Sequence, residues 1–258
     1  MHRSCVVWTK THFMKSTLLL TTEIGFVIVT VIFLGLLLSI FFKAIRESSW
    51  TDEKKIKVRR WIVISMAAWF TFLSFWSLSG IMADFERFPF NFIPIIIIPL
   101  VATITITFTG NMRELLLLIP QEKLLALQSF RIFVEILLWM LFVDQVLPVQ
   151  MTFEGRNFDI LAGITGPIVA LLYGAGRISP RFLLVWNLAC LGLLINIVTI
   201  AIISTPSPVR VFMNEPANTI VTTFPICFLP GVLVPMAYAL HFFSLRKIGV
   251  EKKSVATA

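Results

Sequence analysis

Gln128, Arg131 and Glu135 stand three and four residues apart inside residues 124–147, a stretch otherwise apolar and long enough to cross a bilayer. On a helix these spacings put all three on one face. A guanidinium and a carboxyl one turn apart can form an ion pair, relay a proton or cation, or hold a polar ligand. In lipid they cannot be idle, because an ionised side chain at mid-bilayer costs about 2.5 to 3.5 kcal/mol on insertion scales. At about 1.5 Å per residue, Glu135 lies roughly 16 Å from Leu124, near the middle of the hydrocarbon layer. The three side chains are therefore expected to face the interior of a helical bundle. Asn187, Asn196 and the hydroxyls of Thr71, Ser74 and Ser77 are the candidate partners from other apolar stretches.

A second group of chemistry-bearing residues lies on the connections between apolar stretches: Asp84, Glu86, Asp144, Glu154, Arg156, Asp159, Arg210 and Glu215. Phenylalanines interleave with them, at Phe85, Phe88, Phe90, Phe153, Phe158 and Phe212. Together they outline an outward-facing acidic vestibule for a small solute or ion, with an ion pair among Glu154, Arg156, Asp159 and Glu215 expected between the loop at residues 150–159 and the loop at residues 204–219. Carboxylates such as Glu154, Asp159 and Glu215 are also the residue type that a membrane enzyme uses as acid and base on a lipid or isoprenoid headgroup. The plainer alternative is solvated loop charge and helix caps around a scaffold or sensor subunit. No metal site is implied, since the histidines are His2, His12 and His241 on different parts of the chain, and no loop has calcium-ligand spacing. No nucleophile elbow and no phosphate-binding glycine loop is present, so no cofactor is implied.

The elements that must position these groups are membrane helices. The chain of 258 residues is 57% hydrophobic and only 14% charged, with a mean hydropathy of +0.90; soluble domains carry about 25% charged residues. Seven apolar stretches follow, at about residues 24–42, 61–82, 90–108, 124–147, 160–173, 182–203 and 220–243. The fold class expected is an all-α, single-domain bundle of seven spans, with residues 248–258 as a disordered tail. Residues 101–109 alternate Thr with apolar residues at the period of a strand, but a lone strand in lipid would leave its backbone unpaired, so helix is expected there. Asn111 and Glu114 read as a capping box opening a short helix along the membrane surface, Ser179 and Pro180 as the start of the sixth span. Ala162, Gly166, Ala170 and Gly174 form a ridge of small residues suited to close helix packing.

The net charge of +8 does not point to nucleic acid, because 11 of the 22 Lys and Arg lie in residues 43–60 and 246–253, each beside an apolar stretch. Connections on alternate sides carry 15 and 6 basic residues, with Arg131 left inside. This bias places the amino terminus outside and the carboxyl terminus in the cytoplasm. Cys5, Cys190 and Cys227 are odd in number and define no disulfide framework. Met14, followed by Lys15 and Ser16 before the first apolar run, is an alternative start of translation to Met1. The partner expected throughout is the lipid bilayer.

Seven helices of this orientation also occur in retinal pigments, but those need a lysine in the seventh span, and residues 220–243 hold none. Membrane zinc hydrolases need several intramembrane histidines, which are absent here. Over roughly residues 150–247 the chain resembles a family of uncharacterised bacterial seven-span membrane proteins. The resemblance rests on the run Phe153-Glu154-Gly155-Arg156-Asn157-Phe158-Asp159, on Trp186-Asn187 with Asn196, and on Asn214-Glu215-Pro216-Ala217-Asn218-Thr219. It implies a bacterial inner membrane and carries no activity with it.

Overall fold

A computed structural model describes residues 16–256, and the described residues form helices and connections without strands. Met1, Met14, Cys5, His2 and His12 lie outside the described residues, as do 257 and 258. The helices are α1 (Thr17–Glu47), α2 (Asp52–Leu78), α3 (Ile93–Thr107), α4 (Gly110–Leu118), α5 (Gln121–Ala126), α6 (Phe130–Val143), α7 (Ile160–Gly174), α8 (Pro180–Ile203) and α9 (Val234–Ala256). Hydroxyl side chains cap four of them: Ser16 accepts from the Leu19 N–H, Thr51 from Lys54, Thr109 from Met112 and Ser179 from Phe182. Each thereby pairs one of the amide groups that a helix start leaves open.

Four helical runs are long and apolar enough to cross a membrane: α1, α2, the continuous Gln121–Val143 run and α8. α3 and α4 make a fifth only as a bent pair, with 76° between their axes. The seven expected crossings are thus reduced to four or five that meet the criterion of length and composition. The reasons are local. α7 has 15 residues, about 22 Å at 1.5 Å per residue, against about 30 Å of hydrocarbon. The last apolar stretch is broken by prolines into a turn, a π turn over Leu229–Leu233 and then α9, whose second half carries Arg246, Lys247 and Lys252. The residues expected as a disordered tail from 248 onward instead continue α9 to Ala256. Residues 101–107 are helical. The expected Asn111 and Glu114 box is replaced by the Thr109 cap, since Glu114 is engaged by the Trp50 indole at 2.7 Å and the Ser49 hydroxyl at 2.8 Å.

The core gathers around α9, with Phe26, Ile45, Ile95, Leu141, Leu233 and Leu240 fully enclosed. α2 is peripheral and buries only Leu73 and Ser77. Leu73 fills the gap at Gly231 in the π turn, whose carbonyl accepts the Trp69 indole N–H at 2.8 Å. The outer face is apolar, as at Leu20, Ile24, Val31, Trp61, Ile98 and Val185. A surface of this kind is stable against lipid and not against water.

The connections collect at two ends. At one, the Ser16 hydroxyl donates to Asp144 and the Ser77 hydroxyl to the Thr222 carbonyl, while Gln150 bridges Ser204 and Asn214. At the other, Glu114 joins Ser49 and Trp50, and the Lys247 ammonium donates to the Leu116 carbonyl at 2.8 Å.

Candidate functional site

α7 is short, and its small residues let it approach α5 and α6 closely. A Cβ on Gly163 would lie 2.8 Å from the Ile132 backbone nitrogen, and one on Gly166 would lie 2.8 Å from the Leu125 carbonyl oxygen. This contact sets the register: Gly163 faces Ile132, Gly166 faces Gln128 and Gly174 faces Glu122. The head of α7 therefore stops at the depth of Arg131, and residues 144–159 descend into the bundle to reach it.

That descent assembles a closed polar ring. Arg131 Nη1 donates to Asp159 Oδ1 at 2.8 Å, in an ion pair whose side chains are 1% and 9% exposed. The Asp159 N–H donates to Asn157 Oδ1 at 3.0 Å. Asn157 Nδ2 donates in turn to Glu135 Oε1 at 2.6 Å and to the Met151 carbonyl at 3.1 Å. Arg131 and Glu135, one turn apart on α6, are thus joined through a loop. The loop's sharp return depends on Gly155, where any Cβ would collide with the Val149 carbonyl.

Arg131, Glu135 and Asp159 line one part of a chamber that leaves about 840 Å³ free of atoms, some of it opening outward. The rest of the wall is largely apolar, with Ile96 of α3, Val134 and Leu138 of α6, Ile197 and Ala201 of α8, and Leu233. Three polar atoms of the ring carry no partner: Arg131 Nε, Arg131 Nη2 and Glu135 Oε2. A buried polar group left unpaired costs about 1–3 kcal/mol, so these atoms mark where a ligand's polar group gains most.

The other anticipated residues lie elsewhere. Gln128 is buried beside α7, and its Oε1 has no partner. Asn187, expected against the α6 charges, lies 3.0 Å from His241 Nδ1 and donates to the Leu183 carbonyl. Asn196 is exposed and donates to the Arg156 carbonyl. Of the span 2 hydroxyls, Ser77 is bonded to the Thr222 carbonyl. The α6 charges are met by Asn157 and Asp159 instead, because α7 begins so deep.

The anticipated vestibule is dispersed, and of its residues only Asp159 lines the chamber. Asp84 pairs with Arg87 at 3.0 Å, Glu86 is exposed, and Asp144 accepts from Ser16. Glu154 accepts the Trp139 indole N–H at 2.6 Å, and the Arg156 guanidinium sits over the Phe212 ring. Arg210 and Glu215 pair at 3.0 Å within one loop. The connection before α7 and the loop after α8 meet through the Gln150 and Asn214 amides and through Arg156 on Phe212, in place of the expected ion pair. Hydrogen bonding from Arg210, helped by the Ala217 N–H, holds the Glu215 carboxyl below the usual carboxylate range.

Asn157 is a participant that spacing alone does not single out. Asn157 had one available signal, its place two residues before Asp159, where an Asx side chain can accept that residue's N–H. Among the described residues no group of three or more His, Cys, Asp and Glu is placed to hold a metal ion.

The family model described as Domain of unknown function (DUF8737) matches residues 93–248, from the start of α3 into α9. No curated protein and no solved structure matches the chain.

Proposed function

The chain belongs to the family of Domain of unknown function (DUF8737), a description that names no chemistry, and from its geometry we propose that it is a multi-pass membrane protein that binds a lipid-like molecule within the bundle. The observation that carries this is the chamber itself: a partly open, largely apolar cavity with a charged ring on one wall. Ligand sites are concavities with mostly apolar walls and a few convergent polar groups. An apolar wall selects an apolar body, and the buried polar atoms orient one polar end. The solute is therefore an amphiphile drawn from the bilayer in preference to a hydrated ion from an acidic vestibule, because the outer charges are dispersed and, Glu86 apart, engaged locally.

The membrane frame belongs to the same proposal. Seven crossings of a bacterial inner membrane, counting the short α7, the bent α3 and α4 pair, and the broken last stretch, agree with the sorting of connections to two ends. The end holding Trp50, Glu114 and Lys247 would be cytoplasmic, following the 15 to 6 bias in basic residues. A reporter fused to the carboxyl terminus is expected to be active in a cytoplasmic format and silent in an exported one; the reverse would overturn the orientation.

The binding proposal is tested by filling the chamber. Protein in lipid nanodiscs is titrated with a long-chain probe that fluoresces in apolar surroundings. Ala201→Phe is expected to abolish probe binding while leaving the melting temperature nearly unchanged. Equal binding by a folded Ala201→Phe protein would remove the chamber from consideration.

A further inference from the structure

If the chamber holds a lipid-like body, as proposed above, the polar head of that ligand meets the charged ring. Asp159 occupies Nη1 of Arg131. Nε and Nη2, which share the opposite edge of the guanidinium, are buried and without partners on a side chain that lines the chamber. Two N–H groups on one edge are a fork that grips an oxygen acceptor, or two oxygens side by side.

Charge decides which acceptor. The ring contains one guanidinium and two carboxyls, Asp159 and Glu135, so the positive charge of Arg131 is already matched by Asp159 at 2.8 Å. An oxyanion would add negative charge beside Glu135 in an apolar chamber, where charges are weakly screened. An uncharged carbonyl oxygen accepts from both N–H groups without that repulsion. Glu135 Oε2, also unpartnered and on a side chain that lines the same chamber, needs a group that serves it whether it is ionised or protonated. A hydroxyl does so, because it both donates and accepts. We propose that the chamber holds an uncharged lipid whose head presents a carbonyl to the Nε and Nη2 edge of Arg131 and a hydroxyl to Glu135, the chemistry of a monoacylglycerol.

The test compares ligands of one chain length by native mass spectrometry of the full chain released from detergent micelles. The ligands are a monoacylglycerol, the methyl ester, the alkane, and the fatty acid at alkaline pH, where it is an anion. Retention is expected in the order monoacylglycerol, methyl ester, alkane, with the first at least about tenfold above the alkane, as hydrogen bonds to charged groups imply. The anion is expected to be retained less than the methyl ester. Arg131→Lys keeps the positive charge and removes the fork, so it is expected to erase the preference for ester over alkane, read as the ratio of the two within the variant. Glu135→Leu is expected to erase only the preference for monoacylglycerol over ester. If Arg131→Lys does not fold, the wild-type order decides alone. Equal retention of ester and alkane would overturn the head-group inference and leave the chamber proposal standing. Tighter retention of the anion would replace the uncharged head with an oxyanion. No retention of any chain would defeat the chamber proposal itself.

Discussion

Two arginine–carboxylate pairs of nearly the same length behave as different objects. Arg131–Asp159 spans 2.8 Å between α6 and α7, with both side chains almost wholly enclosed. Arg210–Glu215 spans 3.0 Å within a single loop, with the Glu215 side chain 72% exposed. The outer arginine has further local partners: its Nε donates to the Phe212 carbonyl at 2.8 Å, and Nη2, which also meets Glu215, donates to the Asn214 carbonyl at 2.9 Å. The inner one keeps two N–H groups free. Water screens the outer pair and relieves either partner if the other is lost. Nothing relieves the inner pair except its ring neighbours, so the same chemistry that merely fastens a loop at the surface becomes, when enclosed, a demand for a further partner.

The contrast can be broken most forcefully by removing half of the inner pair. Asp159→Ala strands Arg131 and is expected to cost about 3–5 kcal/mol, read as a fall in thermal unfolding temperature in detergent, whereas joint replacement by Met at 131 and Leu at 159 should recover most of it. Wild-type melting of Asp159→Ala would show that burial does not separate the pairs. Next in size are the contacts that set the depth of α7. Gly163→Ala forces a Cβ toward the Ile132 backbone nitrogen and is expected to cost about 1–3 kcal/mol; a neutral result would detach the short helix from the inner pair.

Asn157→Leu sharpens the same point, since it removes the bonds to Glu135, the Met151 carbonyl and the Asp159 N–H. A loss of about 1–3 kcal/mol is expected, along with weaker retention of the chamber probe. The smallest effect belongs to the outer pair. Because Glu215 titrates below its ordinary range in the folded loop, its contribution is present above that range and is lost as the pH falls through the lowered value. Amide hydrogen exchange in residues 210–217 is expected to quicken on acidification in the wild type and to change little in Glu215→Gln, with no change in global melting for either protein at neutral pH. An identical acid response in the variant would show that Glu215 does not fasten the loop.

Sequence reasoning reaches the helices by composition, since apolar runs of this length allow little else in lipid, and the Ser179 and Pro180 start of α8 by local chemistry alone. The common face of Gln128, Arg131 and Glu135 follows from helical spacing, and all three are buried. Their partners do not follow from spacing, because Asp159 and Asn157 come from a connection whose depth depends on the length of the next helix. Asp159 was legible as a charge but read as a surface one. The Thr109 cap displaced the expected box because Glu114 found Trp50, a tertiary contact invisible to local pattern. α9 continues past 248 although its sequence turns polar, and Lys247 ties it to the Leu116 carbonyl and to Glu251.

The attachment of α2 carries a consequence for the order of events during synthesis. Its buried Leu73 and Ser77, with the Trp69 indole, meet the carbonyls and the glycine gap of residues 222–231, which leave the ribosome about 150 residues after α2 itself. In the membrane arrangement proposed above, the mostly apolar surface above its basic foot would let α2 wait in the bilayer as an independent helix until its berth exists. Docking of α2 would then be a late closing step, and truncation of the chain before residue 222 should leave the carboxyl end of α2 undocked, detectable as quicker amide exchange around Leu73 and Ser77.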